Sequence, residues 1–202
     1  MNSMGRKFVI TTFGESHGAC LGVVIDGCPA GLPLTVEDIQ LDVDRRRAGS
    51  GPAATNRREQ DCVEIWPGTL NGTTTGAPLC LVIRNEDFDD THYEELKHVM
   101  RPGHADFTAR VKYGGFNDYR GGGMFSGRRT AAYVMAGAVA RKLLARLGVE
   151  VLAHAIEIGG IKAGPVDIDA VRKSADSPLR CADPHTAEKM EARIREVKAE
   201  GD

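Results

Sequence analysis

The chain has 202 residues, 42% of them hydrophobic and 27% charged, and its 26 Lys+Arg against 28 Asp+Glu leave a net charge of −2. That length supports one domain with a real core, and that balance excludes a generally basic nucleic-acid binder. The apolar runs, such as Tyr133–Ala140 and Leu79–Ile83, are too short to span a bilayer, and the N-terminus reads as lacking a secretory signal.

Cys20, Cys28, Cys62, Cys80 and Cys181 are odd in number and contain no C-x-x-C pair. They fit reduced thiols in the cytoplasm rather than a disulfide frame or a metal site. Gly supplies 24 residues, clustered in particular loops. Such clusters mark places where backbone turns tightly or approaches a ligand.

In chain order, Lys7–Phe13 and Cys20–Asp26 read as strands, with Gly27-Cys28-Pro29-Ala30-Gly31 as the turn that follows. Thr35 offers an N-cap with Asp38 three residues on. Val36, Ile39 and Val43 share a face, and the helix ends in Arg45-Arg46-Arg47, where cations suit the dipole. Ala48–Asn56 is a Gly/Ala/Pro loop. Cys62–Trp66 alternates like a half-buried strand, and Ala77–Arg84 reads as a more fully buried one. Glu86–Asp90 is an acidic loop, His92–Met100 a short helix and Arg101–Asp106 a loop.

A Gly-rich segment from Tyr119 runs into the longest helix, Gly127–Leu147. Its apolar face is Ala131, Val134, Met135, Ala138, Val139, Leu143 and Leu147, with Gly148 as a C-cap. Val149–Ile158 reads as a strand, and Asp183-Pro184 opens a final helix with Met190, Ile194 and Val197 inward. Strands and helices in mixed order make the class α+β, as a single domain over residues 1–202. Nothing closes the last helix, which fits a terminal helix or a chain cut in mid-domain.

Four segments carry chemistry. Gly14-Glu15-Ser16-His17-Gly18 matches G-x-S-x-G, the nucleophile elbow, which requires a helix after the serine. A strand is expected there, so a serine hydrolase stands only as an alternative, and His17 becomes the reactive candidate. Arg101-Pro102-Gly103-His104-Ala105-Asp106 puts a second histidine on a shaped loop, with Asp106 placed to orient it; a casual surface histidine reads equally well.

Arg45-Arg46-Arg47 and Arg57-Arg58 flank one loop without a single Lys. Arg suits a site where a planar fork grips carboxylate or phosphate, against the plainer reading of a dipole cap with salt bridges. Gly121-Gly122-Gly123 before a helix, with Arg120, Arg128 and Arg129 nearby, is an anion cradle in principle. It matches neither nucleotide-binding fingerprint, and a packing turn is the plainer reading.

Phe13–Gly18, Asp26–Leu34, Arg45–Arg47, Thr73–Gly76, Arg101–Asp106 and Asp118–Gly123 occur together in the order and approximate spacing of chorismate synthases. The chain resembles that family from about Met4 to its end. The resemblance implies a β-α-β sandwich, usually assembled as a homotetramer. It implies a cytoplasmic lyase that converts 5-enolpyruvylshikimate 3-phosphate to chorismate and phosphate by trans-1,4-elimination. The reaction requires reduced FMN without net redox change; whether NADPH reduces that flavin stays open.

By position the resemblance implies His17 as the acid toward the departing phosphate and His104 as the partner of the anionic reduced flavin. It implies Arg47, Arg57, Arg58, Arg101, Ser126 and Arg128 at the substrate, and Arg46, Met124, Phe125 and Ser126 at the flavin. No metal, nucleic acid or membrane is implied. Met124-Phe125 stands where many members have Arg-Ser, and Ala48 where many have Pro. Members continue well past Asp202, so the resemblance implies a C-terminally incomplete fold, and a chain not catalytically complete by itself. A truncated homologue that only binds a partner or an anion is the remaining alternative.

Overall fold

A computed structural model describes residues 2–47, 59–86, 91 and 93–201. The chain divides into two compact units, residues 1–47 with 57–148, and residues 48–56 with 149–202. The Ala48–Asn56 loop, Arg57, Arg58, His92 and most of the acidic loop lie outside the described residues.

The first unit contains, in order, β1 (Ser3–Met4), β2 (Val9–Gly14), β3 (Cys20–Asp26), α1 (Val36–Arg46), β4 (Val63–Ile65), β5 (Thr69–Leu70), β6 (Thr73–Thr74), β7 (Leu79–Arg84), α2 (Tyr93–Leu96), α3 (Asp106–Lys112) and α4 (Thr130–Ala145). Five strands form an antiparallel sheet in the order β1-β2-β3-β7-β4. Strand side chains alternate faces, so Leu21, Val23 and Ile25 share one face. They stand opposite Ile83, Leu81 and Leu79 of β7.

That face meets Ile39 and Val43 of α1 and Ala131, Met135, Ala138 and Val139 of α4 in one buried cluster. Lys142 of α4 pairs with Asp38, whose carboxylate also accepts the Thr35 amide at 2.8 Å, so the start of α1 is capped and tied to its neighbour at once. Met135 is fully buried at the centre of this layer. Met135→Ala is expected to cost about 2–5 kcal/mol, read as a lower urea midpoint with an unchanged m-value.

Three expectations need correction. α4 begins at Thr130, not Gly127, because Arg120–Phe125 and Gly127–Arg129 form tight 3₁₀ turns and Gly121, Gly122 and Gly123 all have positive φ. Leu147 is 74% exposed, since the helix stops at Ala145 and turns that side chain away from the core. Val149–Ile158 is largely irregular, with only Glu157–Ile158 paired. Strand propensity alone does not make a strand without a neighbour to pair with.

The second unit holds β8 (Glu157–Ile158) and β9 (Ile161–Lys162), joined through Gly159 and Gly160 at φ 60° and 80°. Two positive-φ residues are what a tight hairpin of this hand demands. α5 (Ile168–Lys173) and α6 (Pro184–Ala199) follow. Asp183 caps α6 by accepting the His185 and Thr186 amides at 3.1 and 3.3 Å, and Met190 is buried. A cleft of about 560 Å³ in this unit, lined by Lys173, Ser177, Cys181 and Glu188 among others, contains none of the residues expected at the substrate or the flavin. Among the described residues no helix is long and apolar enough to cross a membrane.

Candidate active site

The loop between β2 and β3 carries His17. Gly14 ends β2 at φ 87°, and a Cβ there would lie 2.2 Å from the Cys20 carbonyl oxygen, so only glycine lets the chain turn this tightly. The Gly18 amide closes the turn on the Glu15 carbonyl at 3.2 Å. His17 is buried, 7% exposed, and its ring meets the Tyr93 ring edge-on at 4.9 Å between centroids. β3 begins at Cys20, so a strand rather than a helix follows Ser16. The strand–turn–helix context of a serine-hydrolase elbow is not met.

His104 lies just before α3 and is held from one side. Its Nδ1 is 2.5 Å from Asp106 Oδ1. Asp106 also accepts the Arg101 Nε, Nη2 and backbone N–H groups at 2.8, 3.0 and 3.1 Å. The Arg101 guanidinium, together with these further bonds, holds the Asp106 carboxyl down at about 2. It is therefore a carboxylate at neutral pH, can only accept, and fixes the His104 proton on Nδ1.

The two imidazoles meet one strip of backbone. A Cβ added at Gly121 would lie 2.3 Å from His17 Cδ2 and 2.4 Å from its Nε2. A Cβ added at Gly122, the next residue, would lie 2.6 Å from His104 Cε1, 2.8 Å from its Nε2 and 3.6 Å from Arg101 Nη2. Residues 87 positions apart thus press on consecutive glycines. The Ser16 amide donates to the Gly123 carbonyl at 3.3 Å and ties the strip to the His17 loop.

The arginines divide. Arg128 is buried; its Nη1 pairs with Asp61 at 2.8 Å, its Nη2 lies 3.6 Å from Glu59, and its Nε donates to Asn85 at 2.6 Å. Among the described residues its Nη2 has no hydrogen-bond partner. Arg46 shares Asp61 at 3.3 Å and reaches Thr130 Oγ1 at 3.2 Å. Arg47 donates to the Gln60 carbonyl at 3.1 Å and lies 3.8 Å from Asp44, in a half-exposed position. Arg129, also buried, donates to Met124 O at 2.8 Å and to Thr12, and among the described residues no carboxylate pairs with it. Ser126 Oγ accepts the Arg128 amide at 3.2 Å, and Phe125 stands exposed beside Tyr113. Arg57 and Arg58 lie outside the described residues.

Sequence reasoning missed four contributors. Burial, together with the neighbouring Asp118, raises the pKa of the Glu15 carboxyl, which hydrogen-bonds to that of Asp118. Burial would also raise Asp118, but hydrogen bonds from Arg120 outweigh it and hold Asp118 low. Asn85 and Tyr93 complete the surroundings of His17. Asp118 has its partner Arg120 two residues on; the other three carried no local signal, since Asn85 and Tyr93 act through partners distant in sequence and Glu15 through an environment that composition does not show.

A family model described as chorismate synthase matches residues 8–202. A chorismate synthase of Dehalococcoides mccartyi strain BAV1 is 52% identical over 202 residues, all of this chain and 56% of the relative. One from Desulfatibacillum aliphaticivorans is 48% identical over 201 residues, all of this chain and 55% of the relative. The chain thus spans about half the length of the curated relatives it matches. A crystal structure of chorismate synthase superposes with a TM-score of 0.76 at 30% identity, covering 98% of this chain and 55% of that one. The α+β architecture is that of the solved structure over the shared residues.

Proposed function

This chain belongs to the chorismate synthase family, and from that premise we propose that it carries the two-histidine, arginine-rich site at which 5-enolpyruvylshikimate 3-phosphate loses its phosphate. The observation that supports this reading most is the convergence of His17 and His104 on Gly121 and Gly122. The substrate bears a phosphate and two carboxylates, and desolvating them calls for fixed cations. Arg129, buried with no carboxylate ion pair among the described residues, adds a fixed positive charge next to Met124, the residue after the strip. Arg128 is held by Asp61, Glu59 and Asn85, and its Nη2, ion-paired with Glu59 at 3.6 Å but without a hydrogen bond among the described residues, is the arm proposed to turn to substrate. Arg101, whose Nη2 would lie 3.6 Å from a Cβ at Gly122, and Ser126, whose amide donates to the Gly123 carbonyl at 3.3 Å, are further proposed contacts; Arg47, Arg57 and Arg58 complete the proposed substrate set.

His17 gives a proton to the leaving phosphate oxygen, so that the group departs less charged. Tyr93 and the glycine strip keep water from the imidazole's sides. The residues present also fit a reduced flavin. At Gly121 and Gly122 the two imidazoles take the room that a side chain would need, and His104, held at Nδ1 by Asp106 with Arg101 Nη2 3.4 Å from the same nitrogen, leaves Nε2 to donate toward an anionic ring edge. Reduced FMN, when bound, supplies electron density for cleavage of the C–O bond. Arg46, Met124, Phe125 and Ser126 are proposed to hold it, the Met124 side chain taking no polar part. The same reading makes the protein a cytoplasmic enzyme, homotetrameric, with NADPH as a candidate reductant of its flavin.

The test is a chimera in which this chain replaces the matching stretch of the 52%-identical Dehalococcoides mccartyi relative. Chorismate release under anaerobic conditions with reduced FMN is expected. His17→Ala is expected to lower kcat at least ~10²-fold while KM moves by less than about threefold. A chimera with His17→Ala and undiminished kcat would overturn the assignment.

A further inference from the structure

We propose that Asn85 is a positioning residue for His17, its carboxamide fastening the Glu15–Gly18 loop to the buried Arg128. That His17 is the group worth positioning rests on the reading above; the fastening itself does not.

Asn85 follows the last residue of β7, and its own amide donates to the Ala19 carbonyl at 3.1 Å. The side-chain Nδ2 donates to two carbonyls, Glu15 at 3.0 Å and Gly18 at 2.6 Å, which bracket Ser16 and His17. Its Oδ1 accepts Arg128 Nε at 2.6 Å. Both protons and one acceptor position of the amide are therefore used, across three separate pieces of chain. The other backbone ties of this loop, Gly18 to Glu15 at 3.2 Å and Ser16 to Gly123 at 3.3 Å, are longer.

The chemistry is specific to asparagine. Aspartate keeps the acceptor for Arg128 but has no proton for the carbonyls. Glutamine is one methylene too long for a turn closed at these distances, and leucine offers nothing to either partner. Because Arg128 is anchored in turn by Asp61 at 2.8 Å, the clamp sets the His17 loop against a fixed point of the fold.

The test uses this chain with Asn85→Ala and Asn85→Asp, followed by amide hydrogen exchange and by NMR of the His17 ring. In the wild type the Tyr93 ring, edge-on at 4.9 Å, gives the His17 ring protons a ring-current shift. With Asn85→Ala, exchange at Gly18 is expected to rise at least about tenfold, from the loss of two hydrogen bonds. The His17 signals should move toward those of free histidine, while Leu21 and Val23 in β3 keep their protection. Asn85→Asp preserves volume and the Arg128 bond and is expected to release the loop equally. Unchanged His17 signals and Gly18 exchange in either variant would overturn the proposal. So would loss of protection throughout the sheet in both variants, which would make Asn85 a residue of the fold alone. A chimera that releases no chorismate, or one whose kcat survives His17→Ala, defeats the functional reading and leaves these readouts standing.

Discussion

Replacing Gly121 by alanine in the chimeric enzyme is expected to lower turnover at least about 10²-fold while leaving the sheet of the first unit folded. The reason is geometric. Gly121 sits at φ 55°, a left-handed conformation that costs a residue with a Cβ roughly 1–2 kcal/mol. The new methyl would also lie 2.3 Å from His17 Cδ2, 2.4 Å from Nε2 and 2.8 Å from Ser16 Oγ, all well inside van der Waals contact. His17 cannot retreat freely, because the Tyr93 ring stands against it and the loop is tied at Asn85. The imidazole must leave its place or the strip must lift from the loop, and either change separates His17, the proposed proton donor, from the glycine strip.

Gly127→Ala provides the control, since a Cβ there meets nothing within 4 Å and its φ is not positive. It should leave turnover within about twofold, as surface substitutions away from special features do. Normal turnover with Gly121→Ala, in a variant whose NMR spectra show His17 displaced, would show that His17 is not the group that delivers the proton.

The layer that forms the core was legible in sequence because it depends on short-range periodicity. Cys20–Asp26 is a strand with the predicted boundaries, and Val36, Ile39 and Val43 share the inner side of α1. The final helix starts where Asp183-Pro184 said it would. The helix Asp106–Lys112 was missed because its N-cap, Ala105, offers no side-chain signal and Pro102-Gly103 precede it. The stretch before Glu157 was over-read because β-branched residues are common to strands and to extended chain without a partner.

The site was legible only as separate strings. No spacing rule brings His17 and His104 to adjacent glycines; the antiparallel order of the sheet and the left-handed Gly121–Gly123 turn do so together. The arginines illustrate a second limit. Counting them pointed to an anion, yet Arg46 and Arg128 are largely engaged by Asp61 and Glu59, whereas Arg129, read only as added charge, is the buried cation without a carboxylate partner among the described residues. Charge density in a sequence shows how many cations a region holds, not which of them are already neutralised.

The pair His104–Asp106 gives the second large effect. Asp106→Asn is expected to lower kcat of the chimera by about 10²-fold near neutral pH, chiefly through His104. The carboxylate accepts the Nδ1 proton at 2.5 Å and three N–H groups of Arg101, and an amide in its place would turn an N–H toward one of these donors. The imidazole then loses its fixed tautomer and orientation. A double-mutant cycle distinguishes this from general loss of stability: once His104→Ala is present, Asp106→Asn should cost little more. Full additivity of the two substitutions would break the proposed link.

The same residue predicts a change with acidity. Its folded pKa, about 2, lies below the unfolded value near 3.9. A depressed carboxylate contributes stability that is complete above the unfolded value and is lost as pH falls through the folded one. With the side chain 15% exposed, that contribution is about 1–2 kcal/mol after allowance for solvent screening. Between about pH 4 and pH 2, the chain bearing Asp106→Asn should therefore show a shallower loss of stability than the wild type. Urea midpoints measured across that interval would reveal parallel curves if Asp106 were not held by Arg101 as described.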